Sequence, residues 1–77
     1  MNRNLGETLD LRLLRVLHML LTSCSVSRTA ELLALSQPAV SASLKRLRDI
    51  FSDPLLVRSG AHMVMTERGA ALESGEP

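Results

Sequence analysis

The three residues Ala34-Leu35-Ser36 constrain this chain most, because they separate two helical patterns and leave no room for a gradual change of direction. Upstream, Val26, Ala30 and Leu33 repeat at i, i+4, i+7 in a short helix expected from about Ser27 to Ala34, with Ser27 as its cap. Downstream, the next helix opens on Gln37-Pro38, with the proline in the first turn, where its missing N–H is harmless. Its apolar residues Val40, Leu44, Leu47 and Phe51 fall at i, i+4, i+7, i+11 and mark a buried face. Two helices joined so tightly must cross steeply, and the small Ala30 permits close approach.

The opposite face of the second of these helices follows from the helical repeat of about 100° per residue. Pro38, Ala42, Lys45 and Asp49 point away from the core stripe, with Ser41 and Arg48 on one flank and Ala39 and Arg46 on the other. The first two turns of that face are small and neutral, and its far end is basic.

Ahead of this pair, Asp10 to Thr22 is a strong helical segment in which Leu9, Leu13, Val16, Leu17 and Leu20 share one side, with Thr8 or Asp10 as cap. A second stripe of Leu11, Leu14, His18 and Leu21 leaves chiefly Arg12 and Arg15 for water, so this helix needs two partners. Behind the pair, Ser52-Asp53-Pro54 stops the long helix, since the residue before proline is pushed out of the α region. Leu55–Arg58 and Met63–Met65 then flank Ser59-Gly60-Ala61-His62 as a short hairpin, with Gly60 free to take positive φ. Thr66 caps a further helix with Glu67 in its first turn.

Three helices, a tight turn within the second pair and a hairpin make a mainly α winged helix-turn-helix. Residues 9–65 form that domain, residues 1–8 a flexible N-terminus, and residues 66–77 the start of a further helix with a disordered tail.

Composition narrows the chemistry. Leucine supplies the largest share of the apolar content, Phe51 is the one aromatic residue, and there is neither Trp nor Tyr, which favours packed helices over a sandwich. A net charge of +1 is too weak to argue for nucleic acid, so any basic signal must come from placement. The single cysteine, Cys24, excludes an internal disulfide framework, fits a reducing compartment and is expected to be a half-buried free thiol. No signal-peptide or membrane-spanning pattern is present, and the expected location is the cytoplasm. His18 and His62 stand too far apart for a metal site, and neither paired carboxylates nor a phosphate-cradling glycine loop is present. Cys24 has no histidine partner at a useful spacing, so no catalytic residue, metal or cofactor is assigned.

Placement does carry a signal. A major groove about 12 Å wide admits a helix whose outward side chains are short near its N-terminus, because bulk there holds the backbone away from base edges. Pro38, Ala39, Ser41 and Ala42 suit that role. Gln37 can bond an adenine edge in pairs, Ser41 can donate or accept at several bases, and Ala39 or Ala42 can meet a thymine methyl. Lys45, Arg46 and Arg48, with Ser27, Arg28, Ser36 and, at the wing, Arg58 and His62, are expected to hold phosphates and set register.

The stretch SVSRTAELLALSQPAVSASLKRLRDIFSDPLLVR, from Ser25 to Arg58, followed by MTERG, resembles the signature of the LysR-type transcriptional regulators. The resemblance covers about residues 9–72 and implies a bacterial regulator's winged helix-turn-helix that binds double-stranded DNA. It places Gln37, Pro38, Ser41 and Ala42 at groove-reading positions, Ser27, Arg28 and Ser36 near phosphates, and Arg58 and the wing near the minor groove. It also implies a long linker helix that pairs two subunits and a C-terminal domain that binds a small-molecule effector, neither of which fits in 77 residues. Leu11, Leu14 and Leu21 would pack on that linker helix or at the dimer contact and are expected to be partly bare here. Three positions depart from the pattern: Ala42 stands where many members carry Arg, Thr29 replaces a more usual Ala, and Leu32 replaces a frequent polar residue. A competing reading, from the two-sided first helix and the nearly neutral charge, is a small helical interaction or oligomerisation module.

Overall fold

The computed structural model describes residues 9–75; the expected flexible segment 1–8, with Thr8 as alternative cap, and the last two residues of the expected tail lie outside the described residues. The elements are α1 (Leu11–Ser23), α2 (Val26–Leu33), α3 (Gln37–Phe51), β1 (Leu56–Ser59), β2 (His62–Met65) and α4 (Glu67–Ser74). This is the order expected for a winged helix-turn-helix.

Each helix begins on a side chain that takes up one of its free N–H groups. Asp10 accepts from Leu13 N at 2.9 Å to start α1, and Ser36 accepts from Ala39 N at 3.1 Å to start α3, with Pro38 in its first turn. Thr66 accepts from Gly69 N at 3.0 Å to start α4. For α2 the expected cap is wrong: Ser25, not Ser27, accepts from Arg28 N at 3.0 Å, and the helix starts at Val26. Ser25 holds the extended backbone a cap needs, whereas Ser27 is already helical.

α1, α2 and α3 enclose a leucine-rich core to which the segment before the wing contributes Leu55 and Leu56. Leu20, Val40, Leu47, Leu55 and Leu56 are sealed from solvent, and the expected core stripes of α1 and α3 are buried except at their ends, where Leu9 and Phe51 are half-buried. Thr29 is also fully buried, and its hydroxyl is satisfied by the Ser23 hydroxyl at 3.1 Å. A threonine in place of the smaller alanine is thus accommodated by a partner placed at the end of α1.

β1 and β2 pair antiparallel with Ser59 opposite His62, leaving the two-residue loop Gly60-Ala61. Gly60 has φ +64° and occupies the first central position, where a type II′ hairpin turn requires glycine. The strand begins one residue later than expected: Leu55 lies outside β1 because it takes φ +66°.

The second stripe of α1 divides. Leu21 is buried, with a side-chain carbon 3.4 Å from where a Cβ on Gly69 would stand, so α4 already covers it, against the expectation that it would be bare. Leu11 and Leu14 remain exposed, at 79% and 40%. Gly69 fits because it has no side chain: a Cβ there would lie 2.5 Å from the backbone oxygen of Leu55. Gly69→Ala is therefore expected to destabilise the domain by about 1–3 kcal/mol through overpacking, despite a helix-propensity gain of about 1 kcal/mol. Urea unfolding of the two proteins checks this, and an equal or higher midpoint for the variant would show that the Leu55 carbonyl gives way.

Candidate nucleic-acid interface

The N-termini of α2 and α3 and the tip of the wing converge on one cleft of about 490 Å³, lined among others by Ser25, Ser27, Gln37, Arg58 and His62. The tight turn accounts for this convergence. Ala34 ends α2 in the left-handed conformation at φ +57°, Leu35 N donates back to Ala30 O at 2.8 Å, and two residues later α3 has begun. After the stop at Ser52–Pro54 the chain is tied to the last turn of α3, where Arg48 bonds the Pro54 and Leu56 carbonyls.

Gln37, Pro38, Ala39, Ser41 and Ala42 are all exposed, forming a face of short side chains over the first turns of α3. Lys45 and Arg46 are exposed beyond them. Around that face stand Ser27 and Arg28 on α2, Ser36 at the α3 cap, and Arg58 and His62 on the wing, all exposed. Ser36 and Ser27 are already engaged through their hydroxyls, Ser36 with Ala39 N and Ser27 with the Ser25 hydroxyl at 3.2 Å. Arg28 lies 3.5 Å from Glu31 across one turn, with both side chains mostly exposed, a pairing weak enough for another anion to displace.

Arg48, expected at phosphate, is also bonded within the protein. Its Nε donates to Pro54 O and its Nη2 to Leu56 O, both at 2.8 Å, and the residue is half-buried. The guanidinium is turned to the base of the wing, where the Pro54 and Leu56 carbonyls meet its fork geometry. Leu11 and Leu14 lie on α1 and do not line the cleft, and Leu21 is buried beneath α4.

Two residues near this face were not singled out by sequence. Ser25 lines the cleft, hidden because its neighbour Ser27 fits the capping pattern equally well. Arg12 shares a second cleft, of about 230 Å³, with Ala39, Ser43 and Arg46, a proximity that no periodicity within either helix reveals. Cys24 is half-buried, as expected, and its Sγ lies 3.6 Å from Leu21 O. His18 and His62 are both exposed. Among the described residues, no group of three or more His, Cys, Asp or Glu side chains is placed to hold a metal, and no helix is long and apolar enough to cross a membrane.

Asp53 is held in a distinct environment at the start of the wing. Its carboxyl is held below the ordinary aspartate range, first by the Thr66 hydroxyl that bonds it at 2.6 Å, then by Leu55 N at 2.8 Å. Arg68 adds a smaller effect of the same sign, against a raising effect of burial. Arg68 also sits 5.6 Å above the Phe51 ring, which holds α4 to the end of α3.

Comparison with known proteins agrees with this geometry. Of curated relatives, the chain is 53% identical over 64 residues to the HTH-type transcriptional activator NahR of Pseudomonas putida, covering 83% of this chain and 21% of NahR. The chain thus spans about a fifth of the length of such relatives. A crystal structure of the probable transcriptional regulator PA0477 from Pseudomonas aeruginosa superposes with a TM-score of 0.82 at 38% identity, over 94% of this chain and 24% of that one. The BenM DNA-binding domain, crystallised in complex with catB site 1 DNA, shares the fold with a TM-score of 0.79 at 24% identity, over 87% of this chain and 75% of that one. A family model described as a bacterial regulatory helix-turn-helix protein of the lysR family matches residues 11–70. The chain belongs to the LysR family of bacterial regulatory helix-turn-helix proteins.

Proposed function

We propose that this chain binds double-stranded DNA sequence-specifically, as the DNA-binding part of a transcriptional regulator, with α3 in the major groove and the wing along the backbone. The observation that carries this reading is the face of short side chains on α3, bordered by Lys45 and Arg46 and by the cleft to Arg58 and His62. Gln37, Pro38, Ala39, Ser41 and Ala42 read base edges, while Ser27, Arg28, Ser36, Lys45, Arg46, Arg58 and His62 hold phosphates. Arg48 leaves the second group. The BenM domain's capture on DNA supports the mode of docking by shared fold.

In the longer regulator, a linker helix continuing from α4 pairs two subunits, and a separate domain takes a small-molecule effector. The exposed Leu11 and Leu14 support a place for them in that association. The reading includes no catalytic step or cofactor, and it places the protein in the cytoplasm, at the nucleoid when bound.

Duplex DNA titrated at several salt concentrations tests the reading. Each phosphate neutralised contributes a slope of about −0.9 in log K against log salt, whereas apolar association is nearly flat or tightens with salt. Arg46→Ala is expected to weaken all sequences about equally and reduce the slope by about 1. Ser41→Ala is expected to keep the slope and to lose about 1–3 kcal/mol of discrimination at one base pair. If Arg46→Ala altered base preference at an unchanged slope, the division between reading and positioning would be wrong. A flat salt response of the parent protein would favour the association module instead.

A further inference from the structure

Besides the half-buried Met63 and Met65 of β2, which pack against the core, the wing is held to the helices at its base. β1 is buried at Leu56 alone, while Val57, Arg58 and Ser59 are exposed. A two-stranded hairpin is marginal by itself, so whatever fixes its base also fixes where Arg58 and His62 stand.

Two charged side chains meet at that base. Arg48, from the last turn of α3, bonds Pro54 O and Leu56 O at 2.8 Å each, on either side of Leu55. Asp53 bonds Leu55 N at 2.8 Å and the Thr66 hydroxyl at 2.6 Å through one oxygen, joining the residue that enters the wing to the one that leaves it. Thr66 N closes the joint on Leu55 O at 2.9 Å. Leu55 itself is sealed in the core at φ +66°, a conformation that a bulky residue keeps only where its surroundings over-determine it.

We propose that Arg48 and Asp53 are positioning residues for the wing: they act on DNA through the placement of Arg58 and His62 and not through their own charge. The proposal rests on the DNA-binding reading above. It makes an unusual sign prediction for Asp53. Removing a carboxylate makes the domain more positive, which by charge alone tightens binding to a polyanion. Positioning demands the reverse.

The test is fluorescence anisotropy with a mixed-sequence duplex at low salt, on the parent chain, Asp53→Ala, Arg58→Ala and the double variant. Asp53→Ala is expected to weaken binding about as much as Arg58→Ala, on the order of tenfold for one lost charge-assisted contact. The double variant is expected to lose no more than either single one, because a misplaced Arg58 has nothing left to lose. Arg48→Ala combined with Arg58→Ala behaves in the same way.

Asp53→Asn, which keeps an acceptor oxygen, guards against unfolding. It is expected to fall between the parent and Asp53→Ala, with amide shifts changed over residues 55–66 and unchanged over 37–42. Tighter binding by Asp53→Ala, additive losses in the double variants, or weaker binding by Asp53→Asn with unmoved wing amides would each overturn the proposal. Failure of the parent chain to bind duplex at low salt would overturn the DNA-binding reading itself, and the proposal with it.

Discussion

An Ala42→Glu variant is expected to fold as the parent does and to lose duplex DNA binding. Ala42 is exposed on α3, and glutamate is nearly as good a helix former as alanine, so neither core nor helix is disturbed. The new carboxylate stands on the face of short side chains, between Pro38 and Lys45, which the proposed docking sets against the groove floor and its flanking phosphates. Like-charge juxtaposition across an interface costs several kcal/mol, so affinity should fall on the order of a hundredfold or more. Circular dichroism confirms the fold and an anisotropy titration reads the loss. Binding within a few-fold of the parent would mean that α3 does not face DNA by this side.

Leu47→Ala is expected to have the opposite signature, losing fold and binding together. Leu47 is fully buried under α3, packed with Leu20, Val40 and Leu44 in the core. Truncating a buried leucine to alanine typically destabilises by about 2–5 kcal/mol, with the larger values where the surroundings cannot collapse. A chain of 77 residues at about 0.05–0.15 kcal/mol per residue has about 4–12 kcal/mol in reserve, so the truncation removes a large share of it. Urea unfolding should show a midpoint far below that of the parent. A shift of less than about 1 kcal/mol would mean that the core repacks around the missing atoms. The two variants together separate what α3 shows to solvent from what it hides.

Those two faces of α3 were legible because a single repeat sets both. Once Val40, Leu44, Leu47 and Phe51 are assigned inward, the outward positions follow by rotation, and the structure exposes each of Pro38, Ala42, Lys45 and Asp49. The hairpin was legible because Gly60 meets a requirement of the turn that few residues meet. What escaped depends on contacts between segments distant in sequence. Arg48 reads as one more cation in a basic cluster, and only the return of Pro54 and Leu56 to α3 shows that two of its five N–H donors are bonded within the protein. Leu55 reads as a strand residue, yet Asp53 and Thr66 hold it in a conformation that no local preference favours. Leu21 reads as bare unless Gly69 is known to bring α4 against it. The error at Ser27 is of another kind: two serines two residues apart both satisfy the capping pattern, and the backbone chooses between them. Nothing in the structure explains Leu32, which is 51% exposed on α2.

α1, α2 and α3 all end on residues in the left-handed conformation, and none of them is glycine: Cys24, Ala34 and Ser52 have φ between +52° and +57°. For an L-residue with a side chain this conformation is disfavoured locally by roughly 1–2 kcal/mol. Glycine would remove that penalty, but would also leave a looser unfolded chain. The stops between these helices are therefore not written into the stopping residues themselves. Alanine in particular, at position 34, is the residue most willing to let a helix run on. In a nascent or unfolded chain nothing local obliges the segment to break there. The corner that aims α3 comes into being with the core that surrounds it, so folding and the shaping of the DNA-facing surface are one cooperative event.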